Sequence, residues 1–174
     1  MTLRSFLRAE TASDHERVDA AFGAFDLQDR AGYAGFLRAH HAALGGLPPL
    51  APLGLPPVDQ RPLLEADLEG LGLALPTPLP RLRLADEAEA LGAYYVLVGS
   101  RLGARVLSSE LEAGARPHAA HNQYLSDLGA EDAWRSLRIV LSGPDPFDRA
   151  RVLAGARATF SHFEAAARSC EIAV

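Results

Sequence analysis

Apolar residues recur at intervals of three and four along nearly the whole chain, and no alternating run of strand type interrupts them. That period belongs to helices that bury one face. The interruptions are "GGLPPLAPLGLPPVDQRP" at 45–62, "PTPLPRLRL" at 76–84 and "SGPDP" at 142–146. Proline and glycine at such density end helices rather than extend them. The spacing predicts helices over 3–22, from Asp29 to Leu44, and over 62–73, 86–109, 117–128, 130–142 and 147–168. Residues 1–174 are expected to form a single-domain, all-α multi-helix bundle.

Composition narrows the function. The chain has 174 residues, 48% hydrophobic and 22% charged, enough for a substantial core. A net charge of −5 argues against nucleic acid as the main partner. The single cysteine, Cys170, rules out an internal disulfide and points to a reducing compartment. No run of about 18 apolar residues is present, and "MTLRSFLRAETASDHE" is charged too early for a signal peptide. A cytoplasmic monomer without a membrane span is the expectation.

On a helical wheel, Leu7, Thr11, His15, Val18 and Phe22 fall within about 80° of one another. His15 then rides at the edge of the buried stripe. Asp19 follows one turn later, where its carboxylate reaches the imidazole. Arg8 lies two turns earlier on the same flank, and Arg4 reaches that side too. An imidazole oriented by an acid, with cations nearby, suits a metal ligand. The plain alternative is a core-edge histidine satisfied by Asp19.

The segment "YYVLVGSRLGARVL", 94–107, reads as a buried helix that carries Gly99 and Gly103. Each glycine costs about 1 kcal/mol relative to alanine there. Gly92, Tyr95, Gly99, Leu102, Gly103 and Val106 share one face, with the three glycines inside about 40° of arc. Two readings compete: close approach of another helix, or close approach of a flat ligand. Ser100 offers a hydroxyl beside the first glycine.

Other signals are weaker. His40 and His41 are adjacent on a helix and diverge by about 100°. His118 and His121 have i, i+3 spacing without a supporting Cys or paired acid. His40 and His41 read as structural or surface residues, His118 and His121 as surface residues, His162 as a partly buried structural residue and Trp134 as core. No nucleophile elbow, flavin or nicotinamide fingerprint is present.

"LRAETASDHERVDAAF" resembles the first helix of the heme oxygenases, with their leucine-basic-x-x-threonine-x-x-x-histidine pattern. "YYVLVGSRLGARVL" is similar to their distal helix, and "DAWRSLRIVLSGPDPFDRARVLAGARATFSHFEAA" to their last two helices. The resemblance runs in order over nearly the whole chain. It implies that heme is both substrate and cofactor, cleaved with O2 and electrons to biliverdin, ferrous iron and carbon monoxide. It implies His15 as the metal ligand to heme iron, with Asp19 holding the other ring nitrogen. Arg8, Arg135 and Arg138 would meet the heme propionates, and Tyr94 and Phe160 would line the pocket. Gly99 and Gly103, with Ser100 between them, would lie over the catalytic face.

The pattern departs from animal members at Ala104, where they carry a second glycine, and at Ser100, where they carry an aspartate. Glu131 stands where a lysine is often found. With one cysteine and no cofactor fingerprint, the electrons are expected from an external electron donor, a ferredoxin or flavin reductase. The rival expectations are a non-catalytic heme-binding carrier or sensor of the same fold, a thiaminase-like enzyme of the same helical build, and a helical interaction module.

Overall fold

The computed structural model describes residues 1–171. Among the described residues it contains helices and turns and no strand, as the period predicts. The helices are α1 (Leu3–Glu10), α2 (Ala12–Gly23), α3 (Arg30–Gly46), α4 (Arg61–Gly70), α5 (Glu87–Gly99), α6 (Arg101–Ala113), α7 (Gln123–Ser126), α8 (Glu131–Ser142) and α9 (Arg149–Glu171).

Local chemistry explains the starts. Thr2 accepts the Ser5 N–H at 3.2 Å, Asp29 that of Gly32 at 3.0 Å, and Asp86 that of Glu89 at 3.1 Å. Each satisfies a first-turn donor that has no helical partner. Asp148 does the same for α9 through Ala150 and Arg151.

Helix α9 is the hub, packed against α5, α3, α2 and α1. It approaches α5 so closely that neither helix tolerates a side chain at the crossing. A β-carbon on Gly92 would stand 1.9 Å from the Val152 carbonyl oxygen, and one on Gly155 would stand 2.0 Å from that of Glu89. The link from α4 to α5 runs as an extended strap across the end of α3. Leu79 and Leu82 donate their N–H groups to Ala42 and Gly46 at 2.9 and 2.8 Å. From α4, the fully buried Asp67 caps α7 by accepting the N–H groups of Gln123 and Tyr124, each at 2.9 Å.

Three expected helices differ. The first is broken at Thr11, whose backbone sits at φ −106°, ψ 9°. Its hydroxyl donates to the Leu7 carbonyl at 2.8 Å, and such back-bonding bends helices. On α2 the buried position is Asp14, while His15 is exposed. The helix expected over 86–109 is two helices that meet at Ser100 and run on to Ala113. The helix expected over 117–128 is a 3-10 turn at Pro117–Ala120 followed by the short α7. His118 and His121 therefore do not share a helical face; the His118 Nε2 lies 2.9 Å from the Leu27 carbonyl oxygen, so it donates there.

Candidate active site

Helix α2 presents one exposed imidazole. The Nδ1 of His15 lies 2.9 Å from the Asp19 carboxylate, and the two side chains are 60% and 66% exposed. With Nδ1–H donated to Asp19, the lone pair sits on Nε2. The ring meets Phe160 of α9 edge-on, with centroids 5.9 Å apart and planes at 75°. Phe160 packs with Val96 and Ala156, and the half-buried Val18 and Tyr95 close this small cluster.

Tyr95 carries the path onward. Burial raises the pKa of its hydroxyl, against the opposing influence of Thr11, Arg4 and Arg8 close by. Gly99 follows one turn later on the same face of α5. A β-carbon on Gly99 would meet only the Trp134 ring, at 3.9 Å, and one on Gly103 would meet nothing within 4 Å. Leu102 and Val106 beside them are 57% and 60% exposed. Bare backbone flanked by exposed apolar side chains thus forms the wall on the α5–α6 side. Arg4 of α1 lies over the Trp134 ring, 5.8 Å from its centroid.

The glycine stripe therefore divides. Gly92 serves helix packing, and Gly99 with Gly103 leaves open space. The Ser100 hydroxyl donates back to the Leu97 carbonyl at 2.8 Å, so its proton is already engaged within the helix turn. Arg8 is exposed on α1. Arg135 pairs with Asp132 at 2.5 Å on the exposed face of α8. Arg138 lies one turn beyond Trp134 and makes no ion pair among the described residues.

Tyr94, which the resemblance puts in the pocket lining, packs elsewhere than Tyr95. It is fully buried, and its hydroxyl donates to the Pro56 carbonyl at 2.6 Å, in the main core. Its neighbour Tyr95 is the tyrosine that joins the Phe160 cluster, because adjacent helical residues diverge by about 100°. The wheel had already put Tyr95 on the glycine face. Trp134, expected in the core, is half-buried beneath Gly99. Asp14 lies about 20° from Leu7 on the same wheel, at the edge of the stripe opposite His15; its charge hid that signal.

Deeper in the bundle, His40 is ringed by Phe22, Phe36, Tyr124 and Phe163, with centroids 4.2 to 6.1 Å away. Its Nδ1 lies 3.0 Å from the Phe36 carbonyl oxygen, to which it donates. Burial lowers its pKa to about 3, so it is neutral at ordinary pH. Among the described residues no three His, Cys, Asp or Glu side chains converge on one point, and no helix is long and apolar enough to cross a membrane.

The fold and the site define an all-α protein with an exposed, acid-oriented imidazole against Phe160 and bare glycine backbone one turn beyond Tyr95 of the same cluster. No family model matches the sequence. A heme oxygenase from Xanthomonas campestris pv. campestris (strain 8004) is 34% identical over 75% of this chain and 86% of its own length. The crystal structure of the NO- and CO-bound heme oxygenase from Neisseria meningitidis superposes with a TM-score of 0.75 over 98% of this chain and 92% of that one. At 20% identity, the second likeness speaks for the fold. The chain belongs to the heme oxygenase family, a family of enzymes.

Proposed function

We propose that the chain binds heme between α2 and the α5–α6 wall and cleaves it, with O2 and electrons from an external donor, to biliverdin, ferrous iron and carbon monoxide. The observation that carries this reading is the pairing of His15, free at Nε2, with a wall where added β-carbons on Gly99 and Gly103 meet nothing closer than 3.9 Å. The residues fit the group: one neutral nitrogen donor, a surface shaped for a flat macrocycle, and arginines suited to its carboxylates.

His15 Nε2 would hold the iron. Asp19 fixes the tautomer and ring direction by accepting the Nδ1 proton. Phe160 limits rotation of the ring from the side. Gly99 and Gly103 would permit close approach of the ring, and the exposed Leu102 and Val106 beside them would pack against it. Arg4, Arg8 and Arg138 supply positive charge at the edge; Arg135 joins them on release from Asp132. Bound heme supplies both the iron that activates oxygen and the carbon skeleton that is cleaved. A ferredoxin or flavin reductase would deliver the electrons, since a lone Cys170 cannot hold an iron–sulfur centre.

The engagement of Ser100 by Leu97 favours a second reading, a heme carrier or sensor without turnover. One absorbance experiment separates them. Hemin is titrated into the protein and into His15→Ala, then ascorbate is added in air. A saturable Soret band that needs His15, replaced by a biliverdin band, supports the enzyme. A Soret band that persists under ascorbate favours the carrier. No specific hemin binding overturns both.

A further inference from the structure

Helix α2, which bears the proposed ligand, has a single buried residue, and it is a carboxylate. Val18, Ala21 and Phe22 are only partly buried. Asp14, its side chain 8% exposed, lies between two guanidiniums: Arg17 of its own helix at 2.6 Å and Arg157 of α9 at 3.5 Å. Both ends extend. Arg17 reaches Glu164 of α9 at 3.3 Å, and Glu164 holds Arg168 at 2.6 Å. Arg157 reaches the Glu10 carboxylate at 3.5 Å and its carbonyl oxygen at 2.9 Å, at the bend between α1 and α2. Six side chains of alternating charge thus lace α2 to α9.

An apolar stripe would secure α2 without fixing its rotation closely, because hydrophobic contact is non-directional. The Arg17–Asp14 hydrogen bond is directional, and Arg157, 49% exposed like Arg17, adds a longer ion pair from α9. Burying the carboxylate carries a desolvation cost that an apolar residue would not, and such groups are best attested where they select one arrangement. His15 is the next residue, about 100° around the helix. Rotation of α2 by one position would carry its imidazole off the Phe160 edge.

We propose that Asp14 is a positioning residue for His15: through Arg17 and Arg157 it fixes the rotation of α2 on α9, and so the direction in which the imidazole is presented. This rests on the reading of His15 as the iron ligand. Replacing the carboxylate by its isostere, Asp14→Asn, keeps the shape and removes the charge. The iron–histidine stretch of the ferrous heme complex, read by resonance Raman, is expected to shift or broaden. Hemin should dissociate about tenfold faster, the low end for residues that orient a metal ligand. Arg157→Gln removes one clamp from an exposed position and should give a smaller change in the same direction, even if Asp14→Asn folds poorly.

An unshifted iron–histidine band and wild-type hemin release in both variants, with only a lowered Tm, would overturn the positioning role. If His15→Ala itself left hemin binding and the band unchanged, the ligand reading would fall instead. The two failures are therefore distinguishable.

Discussion

Gly92 of α5 lies directly beneath the Val152 carbonyl of α9, at a separation that leaves no room for a β-carbon. Gly103, eleven residues later, faces open space. The same substitution should therefore act oppositely at the two sites. Gly92→Ala should destabilise the apo protein by about 3 kcal/mol, because two backbones must part. Gly103→Ala should stabilise it by up to about 1 kcal/mol, by helix propensity alone. Chemical denaturation of both variants checks this. Gly99→Leu and Gly103→Leu should fold, yet weaken hemin binding at least about tenfold, a loss of about 1.4 kcal/mol.

The two adjacent tyrosines should separate in the same way. Tyr94→Phe leaves the Pro56 carbonyl without its donor, at a cost of about 1–2 kcal/mol in stability. Hemin affinity should not change. Tyr95→Ala should open the cluster beside His15 and Phe160 and weaken hemin binding. Paired Tm and hemin titration measurements test the exchange of roles.

His40 predicts an acid limb. Its folded pKa, about 3, lies below the ordinary value near 6.5, because burial disfavours the cation. Between those values the unfolded chain binds the extra proton. Stability is therefore full above about pH 6.5 and falls as the pH drops toward 3. The slope approaches about 1.4 kcal/mol per unit, or roughly 3 kcal/mol lost by pH 4. His40→Phe should flatten that limb. Urea midpoints at pH 7 and pH 4 for both proteins measure it, and equal slopes would refute the assignment.

Asp19→Asn should barely change folding, since both partners of the His15 pair are more than half exposed and such pairs contribute little. Hemin affinity should drop between about tenfold and a hundredfold, because the acid orients the ring. A hemin titration beside a thermal melt would show the dissociation of the two effects.

What could be read from residue spacing was the helical class, the start signals and the separation between His15 and the glycines. Those follow from patterns local to one turn. The breaks at Thr11 and Ser100 could not be read, because neither residue forbids a helix; the first arises from a hydroxyl turned onto Leu7, a choice among rotamers. Asp14 sits at the edge of the apolar stripe opposite His15, and its charge obscured its burial. The glycine wheel put Tyr95 on the glycine face, and Tyr95 is the tyrosine that packs with Phe160, while Tyr94 packs in the main core. The packing role of Gly92 depended on Val152, sixty residues away, and nothing near Gly92 in sequence reports it.

Helix α9 supplies Phe160 to the imidazole, Arg157 to Asp14 and the groove that receives Gly92. It leaves the ribosome after both α2 and α5. Until it emerges, α2 and α5 have been made but lack the surface that brings them together. A nascent chain at that stage carries the His15 imidazole and the bare glycine wall, with no means of holding them in register. Any stop upstream of α9 yields a chain that lacks the surface joining α2 to α5.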